Sequence, residues 1–133
     1  MRSALLVAVV VAAAAGCGGA SAAGDSPIAF GITGGNLAPY QVTIQPNGSV
    51  RIRGPERTAR RQIPPARVRR LRRDIERAHL SSRRCAGTLP DFAAQYIRLD
   101  GRRYTVHGSC EARFQRVWNE LLRATAVLQL GSG

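Results

Sequence analysis

Two pairs of apolar residues flank Pro46-Asn47-Gly48, and only one strand register buries all four. A two-residue Asn47-Gly48 turn would set Ile44 opposite Arg51 and Val42 opposite Arg53, placing arginines on the apolar face. A three-residue loop instead sets Ile44 against Val50 and Val42 against Ile52. Side chains alternate along a strand, so this register alone puts the four on one face, with Gly48 where a left-handed residue is needed. The stretch therefore predicts an antiparallel hairpin with a single buried face. A second hairpin is predicted at Asp100-Gly101, a two-residue turn signal between residues 92–99 and 102–107. It pairs Ile97 with Tyr104 and Leu99 with Arg102, and puts Val106 on the same face. A further strand is expected in residues 27–35, where Ile28, Phe30 and Ile32 alternate until Thr33-Gly34-Gly35-Asn36 breaks the pattern.

Between the hairpins the spacing changes. Residues 54–62 are polar and arginine-rich and read as a loop. Ile63-Pro64-Pro65 opens a helix, because proline suits a first turn. Val68, Leu71, Ile75 and Ala78 follow at helical intervals, with an end near His79 and Leu80. Arg70–Asp74 and Asp74–Arg77 are candidate ion pairs on that helix. Residues 81–91 read as a loop. A last helix begins at Ser109 or Cys110, with Glu111 favourable in its first turn. Its buried stripe is Phe114, Val117, Trp118, Leu121, Thr125 and Leu128. The expected fold is α+β, with the order βββαββα: an antiparallel sheet of about five strands and two helices covering one face.

The three cysteines divide by context. Met1-Arg2-Ser3 carries one positive charge, and the apolar run from Ala4 to Ala15 is about a dozen residues, short of the roughly 20 a membrane span needs. It ends in Ala14-Ala15-Gly16-Cys17, which resembles a bacterial lipobox, with Ala14 where leucine is usual. The resemblance implies cleavage before Cys17, a lipid on its sulfur, and a domain held on the extracytoplasmic face of the cell membrane. On this reading residues 1–16 are a signal peptide and residues 17–26 a lipidated cysteine with a small, polar tether. Residues 27–130 form one domain, and 131–133 a tail. Cys85 and Cys110 then remain as an even pair in an oxidising compartment, for which a disulfide is the default. The competing arrangement, a metal site from Cys85, His107 and Cys110, lacks an evident fourth ligand.

Every basic residue is arginine, as a GC-rich genome favours, and 19 arginines follow Cys17 against 8 acidic residues. Eleven of them fall within residues 51–77. No aromatic residue interleaves them, which argues against nucleic acid as a partner. For an exported domain the anionic partners would be lipid headgroups, wall polymers or acidic protein surfaces. On the first helix Arg67, Arg69, Arg70, Arg73 and Arg77 are the candidate anion-binding residues.

No catalytic constellation is legible. His79 is expected at a helix end and His107 on the outward face of a strand, and neither has an acidic neighbour in sequence. No serine sits in a nucleophile-elbow pattern. Gly31 to Gly35 reads GITGG without a following helix and is not a dinucleotide fingerprint. A non-enzymatic domain without a cofactor is expected.

The sequence also resembles the emfourin-type inhibitors of thermolysin-like metalloproteases. The likeness rests on the first strand leading to Gly34-Gly35, a helix near Leu71 and Ile75, and the segment Leu89-Pro90-Asp91-Phe92. A strand pair around Gly101 and a last helix with Leu121-Leu122 complete it. It implies an exposed loop presented to a protease. The candidate loops are residues 33–39, with Gly34, Gly35 and Asn36, and residues 83–91, with Leu89, Pro90 and Asp91.

Overall fold

The structure is a computed structural model that describes residues 24–127. The expected signal peptide, Cys17, most of the tether, Leu128 and the tail at 131–133 lie outside the described residues.

Each apolar alternation became a strand. The elements run β1 (Ile28–Thr33), β2 (Tyr40–Ile44), β3 (Ser49–Arg53), β4 (Thr58–Gln62), α1 (Pro65–Arg77), β5 (Arg83–Arg84), β6 (Ala94–Leu99), β7 (Arg102–His107) and α2 (Ala112–Thr125). The strands form one sheet in the order β4-β3-β2-β1-β6-β7-β5. All neighbours are antiparallel except β5 and β7. Both hairpin registers are as expected: Ile44 opposite Val50 and Val42 opposite Ile52, as burial requires, then Ile97 opposite Tyr104 and Leu99 opposite Arg102, as the Asp100-Gly101 turn requires.

The sheet has seven strands rather than about five, and both additions are edge strands. β4 lies within residues 54–62, read as a loop. Its sequence, TARRQ, shows no apolar alternation because an edge strand is only half covered: Ala59 and Arg61 face inward opposite Ile52 and Val50, and both stay partly exposed. β5 lies in the other expected loop and is two arginines long. Short, charged edges of this kind discourage pairing with a second sheet.

The core lies between one sheet face and both helices. Ile28, Phe30, Val42, Ile44, Val50, Ile97 and Val106 are fully buried there, together with Phe114 and Leu121 of α2. Trp118 meets Phe30 edge-on, with ring centroids 5.5 Å apart, and stacks on Phe114 at 6.1 Å. Val68, Leu71 and Ile75 of α1 complete the layer. Asp74 makes neither of the expected ion pairs; Arg67 instead reaches Glu120 of α2 at 3.7 Å. Glu111 is not in the first turn of α2 but at its N-cap position, where its side chain makes no capping hydrogen bond and lies 4.0 Å from Arg83.

One arginine of α1 points inward. Arg72 is buried, four residues after Val68 on the apolar stripe. Its guanidinium donates to Asp100 Oδ1 at 2.9 Å and to the carbonyl and hydroxyl oxygens of Ser26, and the Ser26 hydroxyl also meets Asp100. Three distant places are thereby tied: the start of β1, the helix, and the turn after β6. Asp100 has φ +49°, a conformation that aspartate and asparagine tolerate.

The hydrogen bond from Ser26, the hydrogen bond from Arg72 and the attraction of that guanidinium hold the Asp100 carboxyl below its ordinary range. A carboxyl depressed in the folded state binds protons more weakly there than in the unfolded chain. Its contribution is therefore complete above the ordinary carboxylate pKa and is lost as pH falls through that range. Asp100→Asn keeps the turn and removes the charge. It is expected to cost about 1 kcal/mol at neutral pH, a figure reduced because the Asp100 side chain is 42% exposed. Urea midpoints measured from neutral to acid pH should converge for the two proteins at the acid end.

Candidate functional site

The antiparallel pairing of β1 with β6 decides which loops meet. Thr33 lies opposite Ala94, so the segment leaving β1 and the segment entering β6 emerge at the same end of the sheet. They touch: Asn36 N donates to Asp91 O at 2.9 Å. The two loops that resemblance singled out separately thus form one surface, with Gly34, Gly35 and Asn36 on one side and Leu89, Pro90 and Asp91 on the other.

Gly35 explains how they approach so closely. Its φ is +68°, and a Cβ there would stand 2.3 Å from Ala93 N and 2.6 Å from Asp91 O. A side chain at this position would strain the backbone and push the loops apart.

The second loop is held at its base. Cys85 and Cys110 form a disulfide. Cys85 N and Thr88 Oγ1 both donate to the carbonyl of His107, at 2.8 and 3.2 Å. The ring of His107 reaches the Phe92 carbonyl through Nε2, so this outward-facing histidine fastens a loop. Phe92 N donates to Leu89 O at 3.2 Å, closing a turn around Pro90 and Asp91 with Leu89 and Phe92 at its corners.

Among the described residues the exposed large apolar side chains are Leu37, Leu89 and Phe92, at 58%, 58% and 57%. All three belong to these two loops. Single exposed apolar residues are ordinary; here all three lie on the loops at one end of the sheet. Leu89 and Phe92 also border a cleft of about 470 Å³ whose other wall includes the disulfide and Gly108.

The helix arginines occupy a different face. Arg69, Arg70, Arg73 and Arg77 are exposed along α1, whereas Arg67 is engaged by Glu120. His79 is exposed just beyond the helix, at φ +46°. Among the described residues no group of three or more His, Cys, Asp or Glu is placed to hold a metal ion, and no helix is long and apolar enough to cross a membrane. With both sulfurs bonded to each other, the Cys85–His107–Cys110 metal arrangement is not formed.

Sequence reasoning missed the union of the two loops and the role of Leu37. The signal for Leu37 was present: an apolar residue between Gly34-Gly35-Asn36 and Pro39 has no strand or helix to bury it. Comparison with protein-family models, curated proteins and solved structures returned no match.

Proposed function

We propose that the chain is an exported, lipid-anchored, non-enzymatic domain that binds a macromolecular partner with its paired loops. The observation that carries this reading is the concentration of Leu37, Leu89 and Phe92 on two loops joined by the Asn36–Asp91 hydrogen bond. A partner that buries them gains apolar contact at little ordering cost, because the disulfide, His107 and the Leu89–Phe92 turn restrain the loop beforehand. Ser26, beside Asp100, stands at the end of β1 opposite to these loops.

The sharpest form of the proposal is inhibition of an extracellular metalloprotease of the thermolysin type. A stiff, protruding loop pair suits an active-site cleft, and the sequence resemblance points the same way. The test is titration of the oxidised full chain against thermolysin-like and serine proteases. Stoichiometric inhibition of the metalloproteases alone supports it; full protease activity at micromolar excess of the chain refutes it. Leu89→Asp and Phe92→Asp should each weaken binding at least about tenfold, the effect expected for an anchor residue, while leaving the melting temperature nearly unchanged.

A second reading is an arginine-rich envelope lipoprotein that lies against anionic lipid or wall polymer. It is favoured by the exposure of Arg69, Arg70, Arg73 and Arg77 along one helix. It predicts salt-sensitive attachment to anionic vesicles.

A further inference from the structure

The two helices cover one face of the sheet. The strand residues of alternate parity form the other face, and its composition is one-sided. The seven strands carry nine arginines and no acidic residue. The registers place six of these arginines on the face the helices leave open, Arg84 at the β5 edge and five nearer the middle strands. Arg60 lies opposite Arg51, which lies opposite Thr43, which lies opposite Ala29. On the far side Ala29 lies opposite Arg98, and Arg98 opposite Arg103. Arg53, beside Gln41, continues the wall on β3.

The result is a groove along β1 and β2. Its floor is made of small or uncharged residues, chiefly Ala29, Gly31, Gln41 and Thr43. Its walls are arginine-bearing strands, β3 on one side and β6 on the other, three strand spacings or about 14 Å apart.

Three observations set these exposed charges apart from a surface already balanced by acidic neighbours. The ion pairs among the described residues use Arg67, Arg72, Arg83 and Arg123, none of them on this face. Two cross-strand pairs, Arg51 with Arg60 and Arg98 with Arg103, oppose like charges directly, an arrangement that destabilises a sheet until a counter-charge relieves it. One guanidinium is also positioned: Arg103 lies over the Tyr96 ring, 3.9 Å from its centroid. Between Arg103 and Arg53 opens a cleft of about 330 Å³ bordered by Tyr40, Gln41 and Tyr96.

We infer that this uncovered sheet face binds a linear anionic polymer of the cell envelope, laid along β1 and β2 between the two arginine walls. A bilayer fits the face less well: the exposed large apolar side chains lie on the loop end, so nothing on the sheet would enter a membrane. A flat headgroup layer would also meet the walls before the floor. The surface is separate from both the loop end and α1. It shares with the proposed function only the export of the domain, and it can be tested without that premise.

The experiment measures binding of the full, oxidised chain to medium-length inorganic polyphosphate, at low and at raised salt. Vesicles of phosphatidylcholine with and without phosphatidylglycerol form a second arm. Polyphosphate should bind at low salt and dissociate as salt rises. Arg51→Gln/Arg98→Gln should weaken binding about tenfold, the sum of two modest charge contacts. Arg51→Lys/Arg98→Lys should retain most of the affinity. Arg69→Gln/Arg73→Gln, on the helix, should change it less than about twofold. The glutamine variant should melt at or above the parent temperature, because it relieves two like-charge pairs; this separates lost binding from lost folding. No binding at low salt overturns the inference, as does equal loss from the sheet and helix variants. Anionic vesicles binding more tightly than polyphosphate, with the same dependence on Arg51 and Arg98, would assign the face to a bilayer and overturn it too. None of these outcomes bears on the loop proposal, whose variants leave the sheet face intact.

Discussion

Trp118→Ala is expected to destabilise the domain by about 3–5 kcal/mol, the range for removing a large aromatic side chain from a closed core. Trp118 is 3% exposed and bridges the layers, edge-on to Phe30 of β1 and stacked on Phe114 one turn earlier in α2. Few residues stand by to refill the space, since aromatic side chains make up only 5% of the chain. Such a loss is a large share of the stability of a domain this size. Denaturant unfolding followed by circular dichroism checks it. Trp118→Phe should recover part of the loss by restoring a ring to the stack. A cost below about 1 kcal/mol would mean that the α2 layer is far more plastic than its packing indicates.

Opening the disulfide comes next in size. Cys85→Ala/Cys110→Ala, or reduction, is expected to cost about 3.5 kcal/mol, the chain-entropy value for a closed loop of this length. The two cysteines are 25 residues apart. Cys85 also belongs to the buried core, and Cys110 N donates to its sulfur at 3.0 Å. The denaturant midpoint should fall accordingly. The loss should extend to function: with its base released, the segment carrying Leu89 and Phe92 must be ordered by the partner, and affinity should drop more than the exposed leucine and phenylalanine alone explain. Unchanged binding by the reduced chain would show that the loop is held by His107 and Thr88 without help.

How far the sequence revealed this structure depended on where hydrophobicity could decide. The first hairpin register was legible because its alternative put arginines among the core residues, and the second because Asp100-Gly101 is a two-residue turn signal. Residues 58–62 were not, because an edge strand with one half-covered face needs no apolar alternation, and TARRQ shows none. Arg72 looked like its neighbours Arg69, Arg70 and Arg73. Its place on the stripe with Val68 and Ile75 was readable, but its partners were not, since Ser26 and Asp100 lie 46 and 28 residues away. The same limit applied to the candidate surfaces. Each loop was identifiable by its glycines and prolines; their contact followed from β1 pairing with β6, which no local pattern dictates. Arg98 and Arg103 likewise join Arg51 and Arg60 only through the order of strands.

The line from Ser26 to Leu37 has a mechanical meaning. The chain enters beside Arg72 and Asp100, crosses the middle of the sheet as β1, and emerges directly into the loop that carries Leu37. A strand is already near full extension, at about 3.3 Å per residue, so tension between the two ends finds no slack to draw out. A partner gripped at Leu37 would pull on covalent bonds before it pulled on the core. One gripped at Leu89 or Phe92 would load the β1–β6 ladder lengthwise, straining its five residue pairs together rather than one by one. Under a load applied at the Ser26 end and at the loops, β1 would act as a tie-rod that carries the force along its own covalent chain.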